Sequence, residues 1–199
     1  MSAYLAGLGT GLSLIVAIGA QNAFVLKQGL MRRHVLATCA FCALSDAILI
    51  VAGVMGAGAL AARAPWFLQA MRWGGTAFLI IYGARAFRTA WRGGEALQAG
   101  SGRTAGLGAT LLVLAGLTWL NPHVWLDTVV LLGSVSASWD SKAGFAFGAA
   151  SGSVLFFFAL GYGARWLSPL FARPVAWRVL DALVGVIMWS IALGLILNG

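Results

Sequence analysis

The sequence predicts an all-α membrane protein, with about six transmembrane helices arranged as two inverted three-helix repeats and with breaks in helices 1 and 4. Of the 199 residues, 61% are hydrophobic and only 9% are charged, whereas soluble domains carry about 25% charged residues. The mean hydropathy of +0.91 is typical of a protein that lies largely in hydrocarbon. The length allows about six spans and leaves no room for a separate soluble domain.

Six apolar segments follow one another along the chain, and they are separated by short polar stretches. The predicted spans cover residues 3–26, 35–60, 66–87, 105–137, 144–166 and 175–197. The stretch after the third span is polar and rich in Gly, which is typical of a loop. We therefore predict a single transmembrane domain over residues 1–199, with halves 1–92 and 104–199 joined by a loop at 93–103.

The fourth segment is longer than one span needs, and Asn121-Pro122 lies in its middle. Proline removes a backbone donor and disfavours a helical conformation for the residue before it, so we expect a broken helix there. Gln21-Asn22 in span 1 falls opposite Leu120-Asn121 when the halves are aligned, and we expect a similar break there. Because each half has three spans, the second half must run inverted through the membrane, as in many secondary transporters.

The basic residues are distributed unevenly between the two sides of the membrane. Nine of the 13 Lys and Arg residues fall in the loops after spans 1, 3 and 5 or at the span ends next to them, so these loops should be cytoplasmic. Six full spans then place both termini outside, whereas a re-entrant segment would place the N-terminus inside. No run of basic residues is interleaved with aromatic residues, which argues against nucleic-acid binding.

Small residues recur at helical spacing in two spans. Gly7 and Gly11 lie in span 1, and Gly144, Gly148 and Gly152 lie in span 5. Such stripes let helices approach closely, so we predict a packing role for them. For the pair Cys39 and Cys42 we favour small buried residues over a redox or metal site.

Asp46 lies about eleven residues into span 2, near the expected midplane. A carboxylate at this depth costs about 2.5–3.5 kcal/mol on insertion scales, which makes Asp46 a candidate functional residue. The structural alternative is an ion pair with Arg72 or Arg85.

Two further acids fall in apolar segments. Asp127 follows the predicted break in span 4 and could face the same cavity as Asp46, or it could lie at the outer interface. Asp181 is a secondary candidate, and its alternative role is an interfacial pair with Arg178 three residues before it.

The predicted breaks suggest how an anion could bind. Backbone groups freed at membrane depth must line a cavity or be buried in protein, and the N-termini of half-helices attract anionic groups. The α-carboxylate of an amino acid could therefore bind at Gln21, Asn22, Asn121 and Pro122, while a cationic side chain reaches Asp46 or Asp127.

Two stretches carry a resemblance to a known family. The first is residues 17–26 with Gln28-Gly29, and the second is residues 118–128, which include Asn121-Pro122 and Asp127. Together with Asp46 and the segment Arg178-x-x-Asp181, they resemble the LysE/ArgO group of basic amino-acid exporters over essentially the whole chain.

The resemblance implies a secondary transporter that exports L-arginine, L-lysine or both across the bacterial inner membrane, with no cofactor and no metal. Exporting a monocation from a negative interior costs about 2.3 kcal/mol per 100 mV, so the export must be coupled. Exchange for a proton would cancel the charge movement, and we expect Asp46 to carry either cation. The partners would be the amino acid, protons and the lipid bilayer, and a homo-oligomer is left open.

Three other functions remain open at this point. The chain could export another small amino acid or cation of the same superfamily. It could be a membrane thiol oxidoreductase that uses Cys39 and Cys42, or an assembly protein that does not transport and tolerates Asp46→Asn.

The orientation can be tested by thiol labelling. Single cysteines placed at Arg32 and Arg92 in a cysteine-free background should resist an impermeant thiol reagent in intact cells, because the positive loops face the cytoplasm. Labelling of both positions from outside would reverse the predicted orientation.

Overall fold

The computed structural model describes residues 2–16, 19–57, 65–92 and 105–197. Every regular element in these ranges is helical, and they contain no β-strand. The prediction of an all-α protein is therefore confirmed. The predicted loop at 93–103 lies outside the described residues.

Eight helices account for the described chain. They are α1 (Ala3–Ile15), α2 (Ala20–Leu30), α3 (Val35–Ala52, continued by a π-helical turn at Gly53–Ala57), α4 (Pro65–Trp91), α5 (Leu107–Trp119), α6 (Pro122–Ser136, with a π-helical segment at Leu126–Leu131), α7 (Lys142–Gly163) and α8 (Pro174–Leu197). Two short 3₁₀ turns, Ala164–Leu167 and Leu170–Ala172, join α7 to α8.

Three of these segments are long and apolar enough to cross a membrane by themselves, namely Val35–Gly56, Lys142–Leu167 and Pro174–Leu197. The pairs α1–α2 and α5–α6 reach the required length only when each is counted as one bent span, which gives up to five crossings. The 27 residues of α4 would extend about 40 Å as a helix, but α4 contains Arg72, Arg85 and Arg88 and falls below the hydropathy of a span. The described residues thus support several membrane helices and leave the number six as a prediction.

Both predicted breaks occur, although the first is displaced. The axes of α1 and α2 differ by 84°, and those of α5 and α6 by 61°. Gly19 is extended and α2 begins at Ala20, so Gln21 and Asn22 are helical and the expectation that the chain unwinds at these two residues is wrong. In the second break Asn121 is extended and Pro122 is the first helical residue, as the steric effect of proline on its neighbour requires.

The glycine stripes form the contact between α1 and α7, as predicted. A Cβ atom at Gly7 would meet the Phe145 carbonyl, and one at Gly11 would lie 3.0 Å from the Cα atom of Ala149. From the first contact to the second, the residue number rises by four on both helices, so α1 and α7 run parallel. Gly148 lies equally close to the Tyr4 carbonyl, so neither helix has room for larger residues at this crossing.

A second parallel contact joins α3 to the α5–α6 segment. A Cβ atom at Gly53 would lie 2.6 Å from the Val129 carbonyl oxygen, and one at Gly133 would lie 2.6 Å from that of Gly53. Nearer the start of both segments, Trp119 Nε1 donates to Ser45 Oγ at 3.3 Å.

Helices α4 and α8 pack antiparallel, and an arginine from each binds the end of the other. Arg72 donates to the carbonyls of Leu195 and Ile196 at 2.6 and 3.0 Å. Arg178 donates to the carbonyls of Ala90 and Trp91, both at 3.2 Å. Each guanidinium therefore satisfies carbonyls at a helix C-terminus, where the helix dipole also favours a cation.

The outer surface of the bundle is apolar, whereas polar side chains lie inside. Leu44, Leu112 and Phe147 are 65%, 74% and 69% exposed, while Asp46 and Asp181 are buried. An exposed apolar surface of this extent is typical of contact with lipid, so the described structure is that of a multi-pass membrane protein.

The close contact at Gly7 predicts a large effect of a single methyl group. Gly7→Ala should destabilise the protein by about 1–3 kcal/mol, since the new methyl would overlap the Phe145 carbonyl. Gly9→Ala is the matched control, because nothing lies within 4 Å of a Cβ atom there. Thermal unfolding in detergent measures both variants, and equal melting temperatures would contradict the proposed close packing.

Candidate functional site

A cavity of about 250 Å³ lies where the two helix breaks meet. It is slightly smaller than the pockets of about 300–1,000 Å³ that hold drug-sized ligands, so its size suits a small solute. Five helices besides α1 contribute to its lining, which comprises Leu14, Ile15, Gly19, Ala20, Gln21, Asn22, Asp46, Asn121, His123, Val124, Asp127, Thr128, Leu132, Phe157 and Ile191.

The first break contributes the N-terminus of α2. Asn22 Nδ2 donates to the Ile15 carbonyl at 2.7 Å, and this hydrogen bond satisfies a backbone acceptor at the end of α1. Gln21 is buried, and its Nε2 amide has no hydrogen-bond partner in the part of the chain that the structure describes. The cavity is therefore lined here by a helix N-terminus and an amide donor that can still form a hydrogen bond.

The second break contributes the N-terminus of α6. The Oδ1 atom of Asn121 accepts from the backbone N–H of His123 at 3.1 Å, as an N-cap residue does. Pro122 is buried but does not line the cavity, and its Cδ atom faces Gly75 of α4. Pro122 therefore sets where α6 begins, and its neighbours Asn121 and His123 reach the cavity.

Asp46 lines the cavity from α3 and is only 3% exposed. Its Oδ2 atom accepts from Ser153 Oγ of α7 at 2.8 Å. The alternative in which Asp46 pairs with Arg72 is wrong, because Arg72 binds the end of α8. Among the described residues Asp46 forms no ion pair with Arg85 either.

Asp127 reaches the same cavity from the π-helical segment of α6. It is half-buried, and His123 one turn earlier lies close enough to interact with it electrostatically. The cavity lining contains two carboxylates and one histidine but neither Lys nor Arg. Such a lining can bind a cation.

Asp181, the secondary candidate, lies outside this cavity. Its Oδ1 atom is 2.5 Å from Lys27 Nζ, and its side chain is fully buried. The expected pair with Arg178 is wrong, because the Arg178 guanidinium points to the end of α4 instead. Lys27 falls in the predicted loop after span 1, but in the structure it lies within α2 and is itself buried.

Sequence reasoning missed several residues at this site, among them His123, Ser153 and Phe157. His123 could have been found, because it follows Asn121-Pro122 directly. Ser153 and Phe157 come from α7, and no local pattern in the sequence relates them to α2, α3 or α6.

The two cysteines are fully buried, as predicted. The Cys39 thiol donates to the Phe157 carbonyl at 3.2 Å. In the described ranges no three His, Cys, Asp or Glu side chains are grouped so that they could hold a metal ion.

Comparison with known proteins gives matches over nearly the whole chain. The family described as LysE type translocator matches residues 12–199. The arginine exporter protein ArgO of Yersinia enterocolitica is 46% identical, over 100% of this chain and 98% of that protein. The proteins of the same name from Serratia proteamaculans and Escherichia coli are each 42% identical, over 100% of this chain and 98% and 95% of theirs. No solved structure gives a significant match.

The burial of the thiols predicts that they are inert. In folded protein Cys39 and Cys42 should react with N-ethylmaleimide at least about tenfold more slowly than an exposed thiol, since structural buried cysteines do not form accessible thiolates. A Ser138→Cys variant with both native cysteines replaced by Ser supplies the exposed control. Equal labelling rates would restore the cysteines as candidates for redox chemistry.

Proposed function

Since the chain belongs to the LysE family of translocators, we propose that it exports the basic amino acids L-arginine and L-lysine from the cytoplasm in exchange for protons. LysE family members are transport proteins, so the chain is not an enzyme and the thiol oxidoreductase alternative is excluded. The observation that carries the proposal is a cavity with two carboxylates and no Lys or Arg in its described lining. The relatives named as arginine exporters make arginine the first substrate to test.

The cationic end of the substrate would bind between Asp46 and Asp127. A buried carboxylate is unfavourable unless it is paired or neutralised, and a guanidinium or ammonium group provides the missing charge. A guanidinium can form two parallel hydrogen bonds with a carboxylate that lies in its plane. This geometry favours arginine over lysine at such a carboxylate. Ser153 holds one oxygen of Asp46 and leaves the other available.

The α-carboxylate of the substrate would bind at the N-terminus of α2. Backbone N–H groups at a helix N-terminus and the positive end of the helix dipole both favour an anion. The Gln21 amide, which lies beside the Cys42 thiol, adds a further donor on the same side of the cavity. Asn22 then has a structural role, because its amide satisfies the end of α1.

The coupling step would use Asp46. Moving a monocation outward against a negative interior costs about 2.3 kcal/mol per 100 mV, and an inward proton cancels that charge movement. A carboxyl group in a low-dielectric site binds either a proton or a cation, so the two would compete for the same oxygen atoms. Because Asp46 would hold only one of the two at a time, the release of the substrate cation would be tied to the binding of a proton.

The pairing of the helices supports the two inverted repeats. In each half, the first span (α1, or α5–α6) packs parallel to the second span of the other half (α7, or α3). The two parallel contacts are therefore equivalent when the halves are exchanged. The reciprocal arginines, Arg72 on the end of α8 and Arg178 on the end of α4, correspond in the same way. We infer six spans in the bacterial inner membrane, with substrate bound at the interface between the repeats.

Replacement of Asp46 tests the mechanism. Asp46→Asn should abolish net arginine export, because an amide cannot alternate between a proton and a guanidinium. Asp46→Glu should retain part of the activity, and Asp127→Asn should weaken substrate binding more than it alters the pH dependence. The measurement is efflux from proteoliposomes across a pH series at fixed potential, with labelled arginine, lysine and a neutral amino acid.

Asp140→Asn is the matched control, since Asp140 is exposed in the turn before α7 and lies outside the cavity. Full, pH-dependent export by Asp46→Asn would contradict the coupling role. Export of the neutral amino acid in preference to arginine and lysine would assign the chain a different substrate.

A further inference from the structure

The buried ion pair between Lys27 and Asp181 has no role in the proposed transport step. The Nζ and Oδ1 atoms are 2.5 Å apart, and the two side chains are 9% and 0% exposed. The pair joins the last turn of α2 to the second turn of α8. A charged pair inside a membrane protein is expensive to bury, and such residues commonly lie on a transport route.

The pair lies between the cavity and the positively charged end of the bundle. On α2, Asn22 lines the cavity and Lys27 follows five residues later, about 7.5 Å further along the axis. On α8, Ile191 lines the cavity and Asp181 precedes it by ten residues, about 15 Å. The nearby loops carry Arg32, Arg33, Arg165 and Arg173, which places this end in the cytoplasm by the charge rule.

Beyond the pair, the same end is sealed by close packing. Leu30, Ala164 and Leu180 form a buried apolar cluster. The backbone of Gly29 lies directly against the Gly161 carbonyl, with no room for a side chain. At the predicted cytoplasmic end, α2 therefore packs closely against both α7 and α8, and this packing closes the route from the cavity.

We propose that Asp181 is a second cation-binding site on the cytoplasmic route, that Lys27 occupies it when the route is closed, and that an entering substrate cation replaces Lys27 there. The Lys27 ammonium is the same chemical group as the side chain of lysine, and its contact with Asp181 demonstrates that this position accepts a primary ammonium. Breaking a buried pair leaves an uncompensated charge, whereas an entering cation keeps Asp181 paired, and the released Lys27 ammonium, in the last turn of α2, can extend to the water at that end of the bundle. A neutral amino acid brings an α-ammonium together with its own carboxylate, so its exchange for Lys27 would leave the site one positive charge short. The pair therefore selects for substrates with a net positive charge.

The identity of the entering cation rests on the proposed function, but closure and cation binding can each be measured without transport. A single reporter cysteine, Val124→Cys in the cysteine-free background, reports access to the cavity. The variant Lys27→Met/Asp181→Asn removes both charges together, so no unpaired charge is buried. We expect its reporter to react with an impermeant thiol reagent from the side of Arg32 about tenfold faster than in the parent, which is a shift of about 1.4 kcal/mol in the opening equilibrium.

Arg178→Gln is the matched control for closure, because Arg178 lies one turn from Asp181 but binds the exposed end of α4. The labelling rate of this variant should equal that of the parent. A double variant that is folded yet labelled at the parent rate would overturn the role of the pair in closure.

Chemical rescue tests the cation site. Lys27→Ala leaves the Asp181 carboxylate without the lysine ammonium, and propylammonium should raise its melting temperature by about 4 °C or more. The same salt should not stabilise Lys27→Met/Asp181→Asn beyond its effect on the parent. If Lys27→Ala folds only in the presence of propylammonium, the site is also supported. Absence of rescue would overturn it, whereas failure of arginine export alone would contradict the proposed substrate and leave the pair intact.

Discussion

The fold depends on satisfying backbone polar groups where two helices are interrupted inside the bilayer. Hydrocarbon offers no hydrogen bonds, so a carbonyl or amide freed at this depth must find a partner in the protein or line a polar cavity. Asn22 and Asn121 meet this constraint in opposite ways. The amide nitrogen of Asn22 donates to the end of α1, and the amide oxygen of Asn121 accepts from the start of α6. With these ends satisfied, the adjoining helix N-termini and polar side chains are free to face one small cavity.

The charge of this cavity follows from which side chains the helix packing brings there. Asp46 comes from α3 and Asp127 from α6, and these segments approach closely because Gly53 and Gly133 carry no side chains. The basic residues of the neighbouring helices are directed elsewhere. Arg72 and Arg178 bind helix C-termini at opposite ends of α4 and α8, and Lys27 is paired with Asp181. The two carboxylates of the cavity are thus kept apart from the arginines and the lysine of the described chain, and a cationic solute can bind them.

Much of the architecture could be predicted because it follows from local chemistry. Composition establishes the apolar helices, the stereochemistry of Asn121-Pro122 establishes the second break, and the cost of burying a carboxylate identifies Asp46. The first break was misplaced by two residues because no proline marks it, and an extended Gly19 precedes the start of α2 instead. The pairs Ser153–Asp46 and Lys27–Asp181 join residues 107 and 154 positions apart. Their formation depends on how the helices pack, which local sequence patterns do not specify.

A crystal structure with L-arginine bound would test this site most directly. We expect the α-carboxylate of the arginine at the N-terminus of α2 beside Gln21, and its guanidinium between Asp46 and Asp127. We also expect Asn22 and Asn121 to keep their hydrogen bonds to the helix ends. Arginine bound away from this cavity, or bound in it with its guanidinium directed away from both carboxylates, would contradict the proposed binding mode.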